Sequence, residues 1–260
     1  MRLALGVSYR GVGYHGWQSQ PDGNTIQDKL EAALSRFADR PVRTMCAGRT
    51  DAGVHGLNQV VHLDTEVDRE PFSWLRGTNR FLPDDIALQW CRVMPDDFHA
   101  RNSALGRRYA YLLLESPVRP AVEHGAAGWV FRPLDDAAMQ AAADLLIGEH
   151  DFSAFRSAEC QAASPVKTLR AIAIHRRGAY WRFDFDASAF LHHMVRNIMG
   201  CVIAVGNGSR SADWLAQVLA GRERSLAAPT FPADGLYFVG PYYDARLAVP
   251  QHTAAMDWLP

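Results

Sequence analysis

Lysine and cysteine are scarce in this sequence, and neither charge is in surplus. Lys29 and Lys167 are its only lysines, so nearly all positive charge is arginine. Arginine suits phosphate clamps and stacking on bases, although an arginine-rich codon bias gives the same ratio. Cys46, Cys91, Cys160 and Cys201 stand far apart with no C-x-x-C pair. That spacing argues against a disulfide framework or a zinc site and for buried thiols in a reducing, cytoplasmic setting. No apolar run reaches the length of a membrane span. Met1–Tyr9 is too short for a signal core and reads as a first strand. The formal net charge of -1 gives no bulk attraction to nucleic acid, so the arrangement of arginines matters more than their number.

What is present is an ordinary globular composition, 48% apolar and 21% charged over 260 residues, enough for one large or two modest domains. After the first strand comes a glycine-rich loop, Gly11 to Gly23. A helix follows from Thr25, where Thr25 and Asp28 make a capping-box pattern and Ile26, Leu30, Ala33, Leu34 and Phe37 recur at helical spacing. Strands are expected at Val42–Cys46, Gln59–Leu63, Ile86–Val93 and Tyr109–Leu114. A helix is expected over Pro71–Phe81, with Phe72, Trp74 and Leu75 apolar. Ser116–Pro120 punctuates the chain and divides it into lobes 1–115 and 116–260. The second lobe reads as a helix capped by Asp135 and ended by Gly148, then a hairpin of Leu169–Ile174 and Tyr180–Phe185. Helices from His192 to Val205 and Ser211 to Ala220 follow, and a last strand near Leu236–Val239. Hairpins mixed with helices predict an α+β fold with mostly antiparallel sheet.

The stretch Ala47–Gly56 holds one carboxylate, Asp51, between glycines, with Arg49 and Thr50 before it and a strand on each side. Glycines let the backbone turn sharply and let a ligand approach. Arg49 has the chemistry to bind a phosphate or steady the carboxylate. The plain alternative is a strand connection in which Asp51 only accepts turn hydrogen bonds.

Arg196 lies in a segment, Met194–Ile203, that is apolar on nearly every side and so is expected to be buried. A buried guanidinium needs a carboxylate. Asp51 is one partner; the alternatives are another acid such as Asp186, or a side chain that snorkels to the surface. Tyr109 and Tyr111 share a strand face just after Arg107 and Arg108, an arrangement that suits phosphate contact with base stacking; ordinary core tyrosines are the plain reading. Arg101, Arg107 and Arg108, with Arg76 and Arg80, are the candidate phosphate-contacting arginines. Arg170, Arg176, Arg177 and Arg182 form a second group.

Two other chemistries fit poorly. Gly11–Gly16 spells G-x-G-x-x-G, yet Trp17–Gly23 does not open a helix and the residue twenty beyond Gly16 is Arg36, not an acid. A nicotinamide-dependent oxidoreductase is therefore disfavoured. Adjacent His192 and His193 are expected on different helix faces, with no carboxylate or cysteine at ligand spacing, so no metal site is expected.

Taken together, Tyr14–Pro21, Gly48–His55, Asn79–Ile86, Phe98–Arg101, Arg107–Tyr111, Ser188–Asn197 and Pro229–Tyr237 resemble the bacterial tRNA pseudouridine synthases of the TruA type, which modify nucleotides 38, 39 and 40 of the anticodon arm. The pairing of G-R-T-D-x-G-V-H with F-L-H-H-M-V-R-N is highly specific. Gly56 departs from the family's usual alanine, and Arg10 and Val12 from its usual aspartate and threonine. The resemblance implies that Asp51 is the catalytic nucleophile and that Tyr109 packs on the target uracil. It implies that Arg196 pairs with the catalytic carboxylate and that Arg49 helps extrude the base. It further implies two similar lobes around an antiparallel sheet, a homodimer that binds the tRNA anticodon stem-loop, and an isomerisation of uridine to pseudouridine that requires no cofactor. A non-catalytic RNA-binding protein on the same scaffold is the other reading, and the intact Asp51, Tyr109 and Arg196 argue against it.

Overall fold

The computed structural model describes residues 1–251. Along the chain run β1 (Arg2–Tyr9), α1 (Ile26–Ala38), β2 (Met45–Cys46), β3 (His55–Asp64), α2 (Pro71–Asn79), β4 (Ile86–Met94), β5 (Ala104–Glu115) and β6 (Gly128–Val130). Then come α3 (Asp136–Asp144), β7 (Gly148–Asp151), β8 (Val166–Arg177), β9 (Tyr180–Ala187), α4 (Met194–Gly206), α5 (Ala212–Gly221) and β10 (Leu236–Tyr243). Two compact units result. One comprises Met1–Arg107 with the C-terminal segment from Tyr237, and the other comprises Arg108–Leu236. The Ser116–Pro120 punctuation lies inside the second. Each unit joins helices to a mostly antiparallel sheet, which is the α+β class expected.

In the first unit β1 is central, antiparallel to β3 on one side and to β4 on the other. A strand buried on both faces must be apolar at odd and even positions alike. Leu3, Leu5, Val7 and Tyr9 face a core shared with Ile26, Leu30 and Leu34 of α1 and Trp74 of α2. Ala4 and Val60 face a second cluster with Met94, Phe98, Ala100 and Tyr243. Thr25 caps α1 as the sequence indicates: its Oγ1 accepts from the Asp28 amide at 3.2 Å and donates to the Asp28 carboxylate. Each large side chain buried here contributes about 1.5–3 kcal/mol, and truncating Leu30 to alanine costs about 2–5 kcal/mol. β10 joins β3 in parallel, with Tyr237 beside His55 and Phe238 beside Gly56. The expected strand at Val42–Cys46 is shorter, reaching only Met45–Cys46. Phe72 is not a core position: it is 64% exposed, with the Arg76 guanidinium over its ring, because α2 buries Trp74 and Thr78 instead.

In the second unit β8 and β9 form the expected hairpin, extended at both ends of β8. Asp135 caps α3 through the Ala138 amide at 2.9 Å, and Ser211 caps α5 through the Trp214 amide at 3.2 Å. α3 stops at Asp144, before Gly148, and Gly148 instead opens β7 with a positive φ of 115°. β6 and β7 lack a clear periodic signal because they are only three and four residues long. α4 is apolar and buried almost throughout, as expected, but starts at Met194 rather than His192. His193 is left-handed at φ 64°, which turns the chain before the helix and brings the His192 and His193 rings to 4.1 Å. The prediction that these two histidines diverge across a helix is thus corrected: neither is in one.

Candidate active site

The loop carrying Asp51 is fixed by contacts on both flanks. On the way in, the Ala47 amide donates to Val60 O at 2.8 Å. The fully buried Gln59 side chain brackets Gly48, its Oε1 accepting from Gly48 N at 3.3 Å and its Nε2 donating to Gly48 O. Thr50 is buried; its hydroxyl shares a 2.8 Å hydrogen bond with Tyr9 OH and its carbonyl accepts from Trp17 N at 3.0 Å. Burial pushes the Tyr9 phenol well above its ordinary pKa, so it stays neutral. On the way out, Val54 N donates to Asp51 O at 3.2 Å and closes a tight turn. His55 stacks on Tyr237 at 4.5 Å, and its Nδ1 accepts from Gly11 N at 3.3 Å. Burial holds the Tyr237 phenol up at about 12. Asp51 itself is half-buried and Arg49 is exposed.

These contacts explain the G-x-G-x-x-G pattern. A Cβ on Gly11 would meet Val54 O at 2.0 Å, and one on Gly16 would meet Thr50 O at 2.7 Å, with Gly16 at φ 82°. Gly11 and Gly16 let one loop lie against the backbone of the other, while Gly13 takes a positive φ of 89°, and no helix starts until Ile26. The dinucleotide reading fails for that reason.

The Phe98–Arg101 segment packs behind the same region. Ala100 N donates to His62 Nδ1 at 3.2 Å, and Ala100 O accepts from Tyr243 OH at 2.6 Å. His99 Nδ1 accepts from the Arg101 and Asn102 amides, both at 3.2 Å. Burial lowers the His62 pKa to about 4, and neighbouring His99 and Arg2 act in the same direction. Burial raises the Cys46 thiol, opposed by the charge and hydrogen bond of Arg101 and by the charge of Arg49. Arg107 Nη2 donates to Ala47 O at 3.2 Å and Arg101 O at 2.7 Å. Arg107 thus ties the strand entering the Asp51 loop to the Phe98–Arg101 segment, while Arg101 is exposed. Arg76 and Arg80 are exposed at α2 and just beyond it.

In the second unit Tyr109 and Arg108 are half-buried on β5. The Tyr109 ring meets Phe190 edge-on at 5.1 Å. Tyr111 is core: fully buried, it donates to Pro232 O at 3.0 Å. Arg196 is half-buried on an otherwise buried helix, and its Nε donates to Phe231 O at 2.9 Å. The second arginine group is largely occupied by acids. Arg170 pairs with Asp186 at 3.1 Å, Arg176 with Glu115 at 3.2 Å and Arg182 with Asp184 at 2.8 Å.

Sequence reasoning missed Tyr9 and Gln59, which hold the loop, and His62, which holds the Phe98–Arg101 segment. The signal for two of them was visible. Gln59 and His62 are polar residues inside a run that is otherwise apolar, and a buried polar group must have a partner.

The family described as tRNA pseudouridine synthase matches residues 6–102 and 142–244. The chain is 75% identical over 260 residues to tRNA pseudouridine synthase A of Methylibium petroleiphilum, covering 100% of both chains. It is 63% identical over 264 residues to the protein of that name from Polaromonas naphthalenivorans and 62% identical over 278 residues to that from Paracidovorax citrulli, again over 100% of each chain.

Proposed function

Because the chain belongs to the tRNA pseudouridine synthase family, and so is an isomerase that converts uridine in tRNA to pseudouridine, we propose that its targets are nucleotides 38, 39 and 40 of the anticodon stem-loop. The observation that carries this reading is identity across the whole length of the relatives, with the complete G-R-T-D-x-G-V-H and F-L-H-H-M-V-R-N segments.

The reaction breaks the C1′–N1 glycosidic bond, turns the uracil and joins C1′ to C5; the proton leaving C5 is replaced at N1. Atoms and electrons balance without an oxidant or a second substrate. Asp51 is the nucleophile. A carboxylate on a loop fixed by Thr50, Gln59 and His55 needs little reorganisation as the reaction proceeds. The target nucleotide leaves the stack to reach it, with Arg49 aiding extrusion. Tyr109, braced by Phe190, offers a flat surface to the uracil, and Arg196 is the supporting arginine. Arg101, Arg107, Arg108, Arg76 and Arg80 supply positive charge toward the RNA backbone. The enzyme acts in the cytoplasm as a homodimer.

Pseudouridine mapping in tRNA incubated with the pure protein tests the positions. Modification confined to 38–40 is expected, and modification only elsewhere in the tRNA overturns the assignment. Asp51→Asn should abolish product while tRNA binding persists, since affinity rests on phosphate contacts; activity within about tenfold of wild type overturns the nucleophile assignment. Sedimentation equilibrium of the pure protein reads the dimer.

A further inference from the structure

Arg196 is held by a loop as well as by its helix. Its Nε donates to Phe231 O at 2.9 Å, and its own carbonyl accepts from Phe231 N at 3.1 Å. The plane of the guanidinium therefore follows the position of the loop before β10. That loop is fastened by the next residue of α4. Asn197 is fully buried; its Nδ2 donates to Phe155 O at 2.7 Å, and its Oδ1 accepts from Thr230 Oγ1 at 2.7 Å and from Arg224 Nη2 at 3.1 Å.

Arg224 extends the fastening along the same loop. Nη1 donates to Ala228 O at 2.9 Å and to Ala227 O at 3.4 Å, and Nη2 donates to Thr230 Oγ1 at 3.0 Å. The Thr230 hydroxyl is then consistent in both roles, donating to Asn197 and accepting from Arg224. Reversing the Asn197 amide would set its NH2 against the Arg224 donors, so the orientation is fixed by the network. Ala228 N also points to Cys201 Sγ, at 3.4 Å. The residue 227–231 stretch is thus tied to α4 at Cys201 near its start and at Asn197 and Arg196 at its end.

We propose that Arg224 and Thr230, through Asn197 and the Phe231 carbonyl, are positioning residues that set the orientation of the Arg196 guanidinium for pseudouridylation. This rests on the reading of Arg196 as the supporting arginine. Arg224 is half-buried, and both its terminal nitrogens are engaged with oxygens of this network. That geometry suits a fastener better than a phosphate contact. A guanidinium bonded through Nε to a displaced carbonyl turns with it, and misplacement of a catalytic-site group by a fraction of an ångström to an ångström lowers turnover steeply.

The test compares R224A, T230V and T230S with R196A, by tritium release from C5-labelled uridine in tRNA, with kcat and KM separated and melting temperature recorded. R224A and T230V are expected to lower kcat about tenfold or more, with KM for tRNA within about threefold of wild type. T230S, which keeps the hydroxyl, should restore wild-type turnover. R224A combined with R196A should be no slower than R196A alone under single-turnover conditions, because both act on one group. Wild-type kcat in R224A and T230V beside an inactive R196A overturns the fastening role. A raised KM with unchanged kcat in R224A overturns it in favour of an RNA contact. Wild-type kcat in R196A instead overturns the role of Arg196 itself. If R224A does not fold, the T230V and T230S pair decides: a kcat loss in the former alone supports the proposal, and equal kcat in both overturns it.

Discussion

Tyr9, at the end of β1, and Thr50, the residue before the candidate nucleophile, share a buried 2.8 Å hydrogen bond between their hydroxyls. Tyr9→Phe leaves the ring in place and orphans the Thr50 hydroxyl, at a cost of about 1–3 kcal/mol in stability. Turnover should fall by roughly tenfold as the loop loosens, with tRNA affinity unchanged. Gly56→Ala attacks the same bond sterically, since a Cβ there would meet Tyr9 Cε1 at 2.4 Å. Steady-state kinetics and thermal denaturation of both variants check this. Wild-type turnover in both would show that the loop holds its shape without the bond.

The arginines around the Phe98–Arg101 segment should separate into two kinds. Arg101→Ala removes an exposed charge and should flatten the salt dependence of tRNA binding by about one unit of slope, with little change in stability. Arg107→Ala removes the bridge from Ala47 O to Arg101 O as well, and should also cost about 1.5–3 kcal/mol of folding stability. Filter binding across a salt series, paired with denaturant melts, distinguishes them.

Tyr109→Ala should spare most affinity and damage turnover, because it removes one stacking surface worth roughly 1–3 kcal/mol. Tyr109→Phe keeps the face and the edge contact with Phe190, and tests whether the hydroxyl serves in proton transfer. Normal turnover in Tyr109→Ala would refute the stacking role.

Stability should decline on mild acidification. His62 is neutral when folded, its pKa lowered by burial to about 4 from an ordinary 6.5. Between those values the unfolded chain binds more protons than the folded one, so stability rises with pH through the window and is fully present above it. The melting temperature should therefore fall as pH drops from 6.5 toward 4, and His62→Gln should flatten that dependence relative to wild type. Calorimetry across the range measures it; identical pH profiles would remove His62 as the cause.

The elements with long periodic signals were legible in the sequence. α1 was, because Ile26, Leu30 and Leu34 recur on one face behind a Thr25 cap, and so was the β8–β9 hairpin, because Trp181, Phe183 and Phe185 alternate with polar residues. The burial of α4 was legible from a run apolar apart from Arg196 and Asn197, but its start was not, because the left-handed turn at His193 has no glycine to announce it. Which apolar residue of α2 meets the core was not legible, because helical spacing alone does not say which stripe packs inward. At the candidate site, Asp51 and Arg49 announced themselves through the glycines around them. The hydrogen bonds made by Tyr9, Gln59 and His62 did not, since each joins residues distant in sequence.

The parallel seating of Tyr237 beside His55 also has a bearing on biosynthesis. The strand that leaves the Asp51 loop is flanked by a segment made long after it along the chain. A nascent chain that has already emitted every residue of the G-R-T-D-x-G-V-H segment still lacks the ring on which His55 stacks. Domains generally fold as units during synthesis, N-terminal ones first, but the first unit must wait for β10. Prematurely terminated products ending before β10 would carry the candidate nucleophile on an unfinished sheet, with the β3 edge open to other chains.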